Sequence, residues 1–150
     1  MHFSQSHDLA IHGLCCLAAQ PNGDLVAAKD LADALNAKLT YFAKVLQVLA
    51  HAGLVRAERG KLGGYGLSRP AAKITLADVV RALDNSGMAY PCPGNRGCRP
   101  SGACAVKSAF GKASHALVEE LDKVTLEKLV ADLRANGRAS RAPWLSAMAT

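Results

Sequence analysis

The sequence lacks any long hydrophobic run. Its longest apolar stretches, such as residues 14–19, are far shorter than the roughly 20 residues needed to span a bilayer. The N-terminus also lacks a basic segment followed by a long apolar core and a cleavage site. We therefore expect no signal peptide, no membrane partner and a cytoplasmic location.

Charged residues are also few, at 20% of the 150 residues, whereas 50% are hydrophobic. This balance excludes a mainly disordered chain, and the length allows one hydrophobic core with a small additional element. No Ser/His/Asp constellation, phosphate-binding glycine loop or paired carboxylate site is recognisable, so we do not expect an enzyme.

Acidic residues are outnumbered, with 12 Asp and Glu against 18 Lys and Arg, and the net charge of +6 favours an anionic partner. Residues 54–73 contain a single acid, Glu58, and five basic residues: Arg56, Arg59, Lys61, Arg69 and Lys73. This local excess indicates a patch that faces phosphates. A solvated loop that happens to be basic is the alternative.

Closely spaced cysteine pairs, which are typical of structural zinc sites, are missing. Of the five cysteines, Cys15 and Cys16 follow the apolar pattern of a helix, where we expect core packing. Five residues separate Cys92 from Cys98, and five separate Cys98 from Cys104, in a loop rich in Gly and Pro. Such spacing allows three thiolates to surround an iron–sulfur cluster. Three unrelated thiols are the alternative.

A fourth ligand position stays open on these residues alone. Asp8 and His12 lie four residues apart, and therefore on one face of the first predicted helix. Lys107 cannot bind iron while it is protonated, and His115 is a weaker candidate.

Apolar periodicity predicts helices over residues 4–20, 27–35 and 39–52, separated by a turn at 21–23 and a break at Asn36. Gly53 is placed to end the third helix in a left-handed cap. Two short extended runs, 54–60 and 61–67, then flank a basic, glycine-rich tip and predict a hairpin. Helices followed by such a hairpin predict a mainly α fold, a winged helix-turn-helix with a small β wing.

The second half of the sequence predicts three further helices. Thr75 and Asp78 form a capping-box pattern that opens a helix ending near Leu83. A long helix begins near residue 103, with an apolar stripe that suits packing on the domain or pairing with a second copy, and a short helix covers 126–133. We divide the chain into a winged helix-turn-helix unit (1–84), a cysteine-rich loop (85–104), a long helix with a short final helix (105–136) and a flexible tail (137–150).

The chain resembles the Rrf-two family of winged-helix transcriptional regulators, which includes the IscR, NsrR and RirA types. The resemblance covers nearly the whole chain, from Met1 to about Leu133. It is carried by the start of the third helix (residues 39–42), residues 49–55, the wing (59–67), residues 74–80, the cysteine loop and residues 124–126.

The resemblance implies a homodimer, built on the long helix after Cys104, that reads a palindromic double-stranded DNA site. It places the third helix in the major groove and the wing near the minor groove. By this likeness the residues that face DNA are Thr40, Tyr41, Lys44, Arg59 and Lys61.

The resemblance also indicates which residue supplies the fourth cluster ligand. IscR-like members have a histidine three residues after the third cysteine, where this chain has Lys107. NsrR-like members instead use an N-terminal aspartate from the other protomer, which corresponds to Asp8. This implies a 4Fe-4S cluster on Cys92, Cys98, Cys104 and Asp8, in a repressor that releases DNA when nitric oxide reacts with the cluster. An iron-status or redox sensor, a 2Fe-2S cluster using His12, and a cluster carrier or metal-binding protein without a DNA role stay as alternatives.

Overall fold

The computed structural model describes residues 4–60, 63–84 and 104–135. In these ranges the chain forms α1 (Gln5–Ala18), α2 (Ala28–Ala34), α3 (Leu39–His51), β1 (Val55–Glu58), β2 (Gly64–Leu67), α4 (Leu76–Leu83), α5 (Ala105–Asp122) and α6 (Leu126–Ala135). Short 3-10 turns occur at Pro21–Gly23 and Ala71–Lys73. The predicted fold class, mainly α with a small hairpin wing, is confirmed.

The hydrophobic core lies between α1, α3, α4 and α6. The two cysteines of α1 belong to it, because Cys15 and Cys16 are almost completely buried, which confirms that they pack in the core. The largest fully buried side chains are Leu14, Leu31, Phe42, Leu46, Leu49, Leu54, Ile74 and Leu126.

The end of α3 carries the predicted glycine cap. Gly53 has a φ of 69°, in the left-handed region. Its N–H bonds to the carbonyl of Ala50 at 3.0 Å, and the N–H of Leu54 bonds to the carbonyl of Leu49 at 2.9 Å. These two bonds form a Schellman motif, which stops the helix and directs the chain into β1.

The wing is a two-stranded antiparallel hairpin in which Val55 pairs with Leu67 and Glu58 with Gly64. A bridge between Val26 and Tyr65 ties β2 to the segment before α2, through bonds of 2.9 and 2.8 Å. A Cβ at Gly64 would lie 2.6 Å from the carbonyl oxygen of Val26, so only glycine allows this close approach.

The capping box predicted for α4 is present: the Asp78 N–H donates to Thr75 Oγ1 at 3.2 Å, and the Thr75 N–H donates to Asp78 Oδ2 at 3.1 Å. A bridge between Thr75 and Thr125 connects this point to the start of α6. From there α6 packs on α1 and places Leu126 and Val130 in the core, so this helix belongs physically to the winged-helix unit. The division of the chain by residue number stays a prediction.

The long helix α5 has 18 residues, and none of them is buried within the single chain. Val106 and Phe110, both on the predicted apolar stripe, are 53% and 51% exposed. The helices in the described ranges include none long and apolar enough to cross a membrane. The predicted tail, residues 137–150, lies outside the described residues.

Candidate nucleic-acid interface and metal ligands

The turn between α2 and α3 fixes the direction in which α3 leaves the core. Asn36 adopts a φ of 49°, a left-handed conformation that asparagine tolerates better than most residues. The N–H of Ala37 then bonds to the carbonyl of Ala32 at 2.9 Å, which closes the turn. The resulting pair of short helices is a helix-turn-helix.

One face of α3 is buried and the opposite face is open to solvent. The ring of Phe42 is fully buried, together with Val45, Leu46 and Leu49. The three residues predicted to face DNA, Thr40, Tyr41 and Lys44, are all exposed. Among the described residues Lys44 forms no ion pair, so its ammonium group is available to an external anion.

The exposed face of α3 extends beyond the residues that sequence reasoning selected. Gln47, Val48 and His51 are also exposed, at positions three, four and seven after Lys44. This helical spacing places them on the same face, and it was available in the sequence as a signal. The ring of His51 lies 3.0 Å from the backbone oxygen of Gln47 through its Nδ1.

The wing presents Arg59 at the end of β1. Its side chain is exposed, and it has no ion pair within the described part of the chain. Gly63 allows the returning strand to lie close to the first, because a Cβ there would clash with the carbonyl oxygen of Glu58. Lys61, the other wing residue predicted to contact DNA, lies outside the described residues.

Two of the five basic residues in the predicted phosphate-facing patch have structural partners inside the protein. Arg56 donates to the carbonyl of Leu67 at 3.0 Å and to that of Gly23 at 3.1 Å. Arg69 donates to the carboxylate of Asp78 at 2.7 Å. Both side chains brace the base of the wing, so Arg59 is the described wing residue that is open to a phosphate.

The predicted cluster ligands are only partly within the described ranges. Cys104 is the N-cap residue of α5, and it is half-buried. Cys92 and Cys98, with most of the predicted loop, lie outside the described residues. Within the described ranges no group of three or more His, Cys, Asp or Glu side chains is arranged to hold a metal ion.

The two N-terminal candidate ligands do lie together. Asp8 is exposed in the first turn of α1, and His12 Nδ1 is 3.2 Å from Asp8 Oδ1 and 2.8 Å from the Asp8 backbone oxygen. Next to them, sequence reasoning missed His7, which is buried and lies 2.9 Å from Ser4 Oγ and 3.5 Å from Asp84 Oδ1. These contacts hold the start of α1 against the end of α4 and so fix the position of Asp8.

The thiols of Cys15 and Cys16 are poorly suited to bind iron. Burial raises the pKa of both thiols from 9.0 to about 12, with a smaller contribution to Cys15 from its neighbour. A metal ligand must be a thiolate, and forming the thiolate costs more at these two buried positions than at an exposed cysteine.

Together, the helix-turn-helix and the braced hairpin define a winged-helix protein. The chain matches the family described as Rrf2, iron-dependent transcriptional regulator, over residues 3–132. It therefore belongs to the Rrf2 (Rrf-two) family and is a regulator of transcription, not an enzyme.

Solved structures of related regulators have the same fold. CymR of B. subtilis, described as the global cysteine regulator, is 26% identical, with 87% of this chain and 97% of that chain covered and a TM-score of 0.69. IscR of T. potens is 26% identical, with 88% of each chain covered and a TM-score of 0.70. The oxidised form of S. aureus CymR is 26% identical, with 87% and 96% covered and a TM-score of 0.67.

Proposed function

We propose that the protein is a homodimeric repressor that binds a palindromic DNA operator through α3 and the wing. The observation that carries this proposal is the open face of α3, where Thr40, Tyr41 and Lys44 project from a helix whose other side is locked in the core. A helix of this kind fits the major groove of B-DNA, and Arg59 then reaches the phosphates or the minor groove from the wing.

The homodimer is supported by the exposure of α5. Most of the stability of a helix in a protein comes from packing of its apolar face, and α5 gains no buried residue from its own chain. Its apolar stripe includes Val106 and Phe110, each more than half exposed. A second copy of the same helix would cover this stripe and place two winged-helix units side by side, as a palindromic site requires.

We further propose that Cys92, Cys98 and Cys104 hold a 4Fe-4S cluster, with the partner subunit's Asp8 as the fourth ligand. Two described features fit this group. Cys104 stands at the N-terminus of α5, where the helix dipole favours a bound anionic group. Asp8 is exposed, so its carboxylate is accessible to a second chain.

Nitric oxide is the proposed signal, because a cluster with one carboxylate ligand would supply iron that this small molecule can reach. The chain's own residues link this site to DNA: α1 carries Asp8, and farther along the same helix Gly13 packs against Phe42 of the recognition helix. A bond between Asp8 and a cluster on the partner subunit would therefore restrain α3. Without that bond, the distance between the α3 helices of the two protomers would no longer be fixed. An iron-status or redox sensor of the RirA or IscR kind uses the same ligands and stays the alternative.

The experiment is the iron and acid-labile sulfide content of the full chain purified without oxygen, together with the Asp8→Ala variant. We expect about four of each per protomer in the wild type. Asp8→Ala should leave the dimer folded but make the cluster labile. Asp30→Ala, which removes an exposed acid from α2, is the control and should leave the cluster as stable as in the wild type.

Two iron and two sulfide per protomer would favour a 2Fe-2S site with His12, and zinc or no metal would contradict the proposed cluster. An unchanged cluster in Asp8→Ala would contradict the fourth ligand.

A further inference from the structure

The long helix α5 is attached to the winged-helix unit mainly at its C-terminal end. Its main neighbour among the described elements is α4, and no residue along its length is buried. Its half-buried residues, Ser114, Leu117, Val118 and Leu121, all lie in its C-terminal half, so the contacts that orient α5 relative to the DNA-binding unit are at this end.

An ion pair with two contacts joins the helices there. Arg81 on α4 donates to Asp122, the last residue of α5, with 2.6 Å between Nη2 and Oδ2 and 3.2 Å between Nη1 and Oδ1. The hydroxyl of Thr75 donates to the same carboxylate at 2.9 Å. A planar guanidinium bound through two nitrogens fixes orientation as well as distance.

Two backbone hydrogen bonds hold the segment between α5 and α6 beside the start of α4. The Leu76 N–H bonds to the carbonyl of Val124 at 3.0 Å, and the Leu126 N–H bonds to that of Ile74 at 2.9 Å. Both bonds are made after the last residue of α5, so they position the start of α6. Within α5 itself, the carboxylate of Asp122 accepts the side-chain hydrogen bonds from Arg81 and Thr75.

The same network extends to the base of the wing. Asp78 accepts from Arg69 at 2.7 Å, and Arg81 Nη1 lies 3.5 Å from the other oxygen of Asp78. Arg69 follows β2 by two residues. The group formed by Arg69, Thr75, Asp78, Arg81 and Asp122, which we call the corner clamp, therefore connects the wing, α4 and α5.

We propose that Arg81 and Asp122 are positioning residues that set the distance between the two recognition helices of the dimer, and so the spacing of DNA half-sites that it accepts. This inference depends on the proposed dimeric DNA binding. An 18-residue helix is about 27 Å long, so a rotation of about 10° at its fixed end moves the far end by about 5 Å. That exceeds the 3.4 Å rise of one base pair, so a small change of angle alters which spacing fits.

The test measures spacing preference. Duplexes chosen by in vitro selection with the full-length wild type are remade with one or two base pairs added to or removed from the centre, and their affinities are compared. We expect the wild type to prefer one spacing. Asp122→Asn and Arg81→Gln should each reduce the ratio between the best and the neighbouring spacings by about fivefold. The double variant should lose no more than either single one, because both changes remove the same pair.

Glu120→Gln is the matched control. It removes the same charge two residues earlier, from a carboxylate that pairs with Lys123 at the end of α5. It should keep the wild-type spacing preference, and thermal unfolding should be similar in all variants. Wild-type preference in both Asp122→Asn and Arg81→Gln would overturn the inference.

A wild type that selects no DNA would contradict the proposed function instead. The clamp is then tested by small-angle X-ray scattering of the dimer. Loss of the ion pair should give Asp122→Asn a broader distribution of interatomic distances than Glu120→Gln. Scattering curves of Asp122→Asn that superimpose on those of the wild type would overturn the inference.

Discussion

Gly13 lies where α1 crosses α3. A Cβ at this position would be 2.8 Å from Cζ of Phe42, whose ring is completely buried. Alanine in the middle of a helix is favoured over glycine by about 0.5–1 kcal/mol, but overpacking a core costs about 1–3 kcal/mol. The clash therefore outweighs the gain in helix propensity.

We predict that Gly13→Ala lowers the free energy of unfolding by about 1 kcal/mol, measured by urea denaturation. Phe42→Leu should cost less in the Gly13→Ala background than in the wild type, because the smaller side chain relieves the clash. Additive effects of the two substitutions would show that the contact is absent.

Cys15 and Cys16 make the free energy of unfolding depend on pH in the alkaline range. Their thiols have a pKa of about 12 in the folded chain against 9.0 ordinarily, because burial opposes the thiolate. The unfolded chain loses these protons first, so the stabilisation is fully present below pH 9 and is lost as the pH rises toward 12.

We therefore predict that the free energy of unfolding falls between pH 9 and pH 11 more steeply in the wild type than in the Cys15→Ala, Cys16→Ala double variant. Urea denaturation at several pH values measures this. The double variant is less stable at neutral pH because the substitutions create cavities in the core. The comparison is therefore between the slopes of the free energy of unfolding against pH. Equal slopes would count against buried, protonated thiols.

Residues with local partners were predictable, whereas residues with distant partners were not. The cap at Gly53, the break at Asn36 and the capping box of Thr75 and Asp78 depend on a few neighbouring residues, and the sequence contains all of them. Arg56 was counted in the phosphate-facing patch, because nothing nearby in the sequence reveals that its guanidinium donates to the carbonyl of Gly23, 33 residues away.

At the scale of elements, the wing contains two arginines that have different roles. Arg59 is exposed at the end of β1, whereas Arg56 joins β1 to β2 and to the turn after α1. The first is placed to bind a phosphate and the second to hold the hairpin against the domain.

We predict that Arg59→Ala weakens binding to all DNA sequences with unfolding unchanged. Because the dimer loses one phosphate contact from each of its two wings, the slope of log affinity against log salt concentration should fall by about 1.8. Arg56→Ala should instead lower the free energy of unfolding by about 1 kcal/mol, because two half-exposed hydrogen bonds are lost. Fluorescence anisotropy and urea denaturation measure the two effects. A stability loss in Arg59→Ala without a change in salt slope would contradict this division of roles.

The helices were predictable at this scale to within about two residues, because apolar side chains recur along each of them with the helical period. Residues 4–20 were predicted as helical, and α1 covers Gln5–Ala18. The brace from Val26 to Tyr65 was not predictable, since a bridge of one residue leaves no pattern in the sequence.

At the scale of the whole molecule, two winged-helix units must act together for a palindromic site to be read. The order of helices and hairpin predicted the fold class, and the apolar stripe of α5 left open whether the helix packs on its own domain or on a second copy. The angle at which α5 leaves the domain could not be predicted, because the ion pair that we propose to set it joins Arg81 and Asp122, which are 41 residues apart.

We propose that a cluster held by Cys92, Cys98 and Cys104 controls DNA binding by the dimer. The most direct test is the affinity of one anaerobic preparation for a selected palindromic duplex, measured by fluorescence anisotropy before and after chelation of the iron. We predict that chelation weakens binding by about 5- to 150-fold, the usual range for coupling between two sites. Equal affinity of the loaded and the iron-free protein would contradict it.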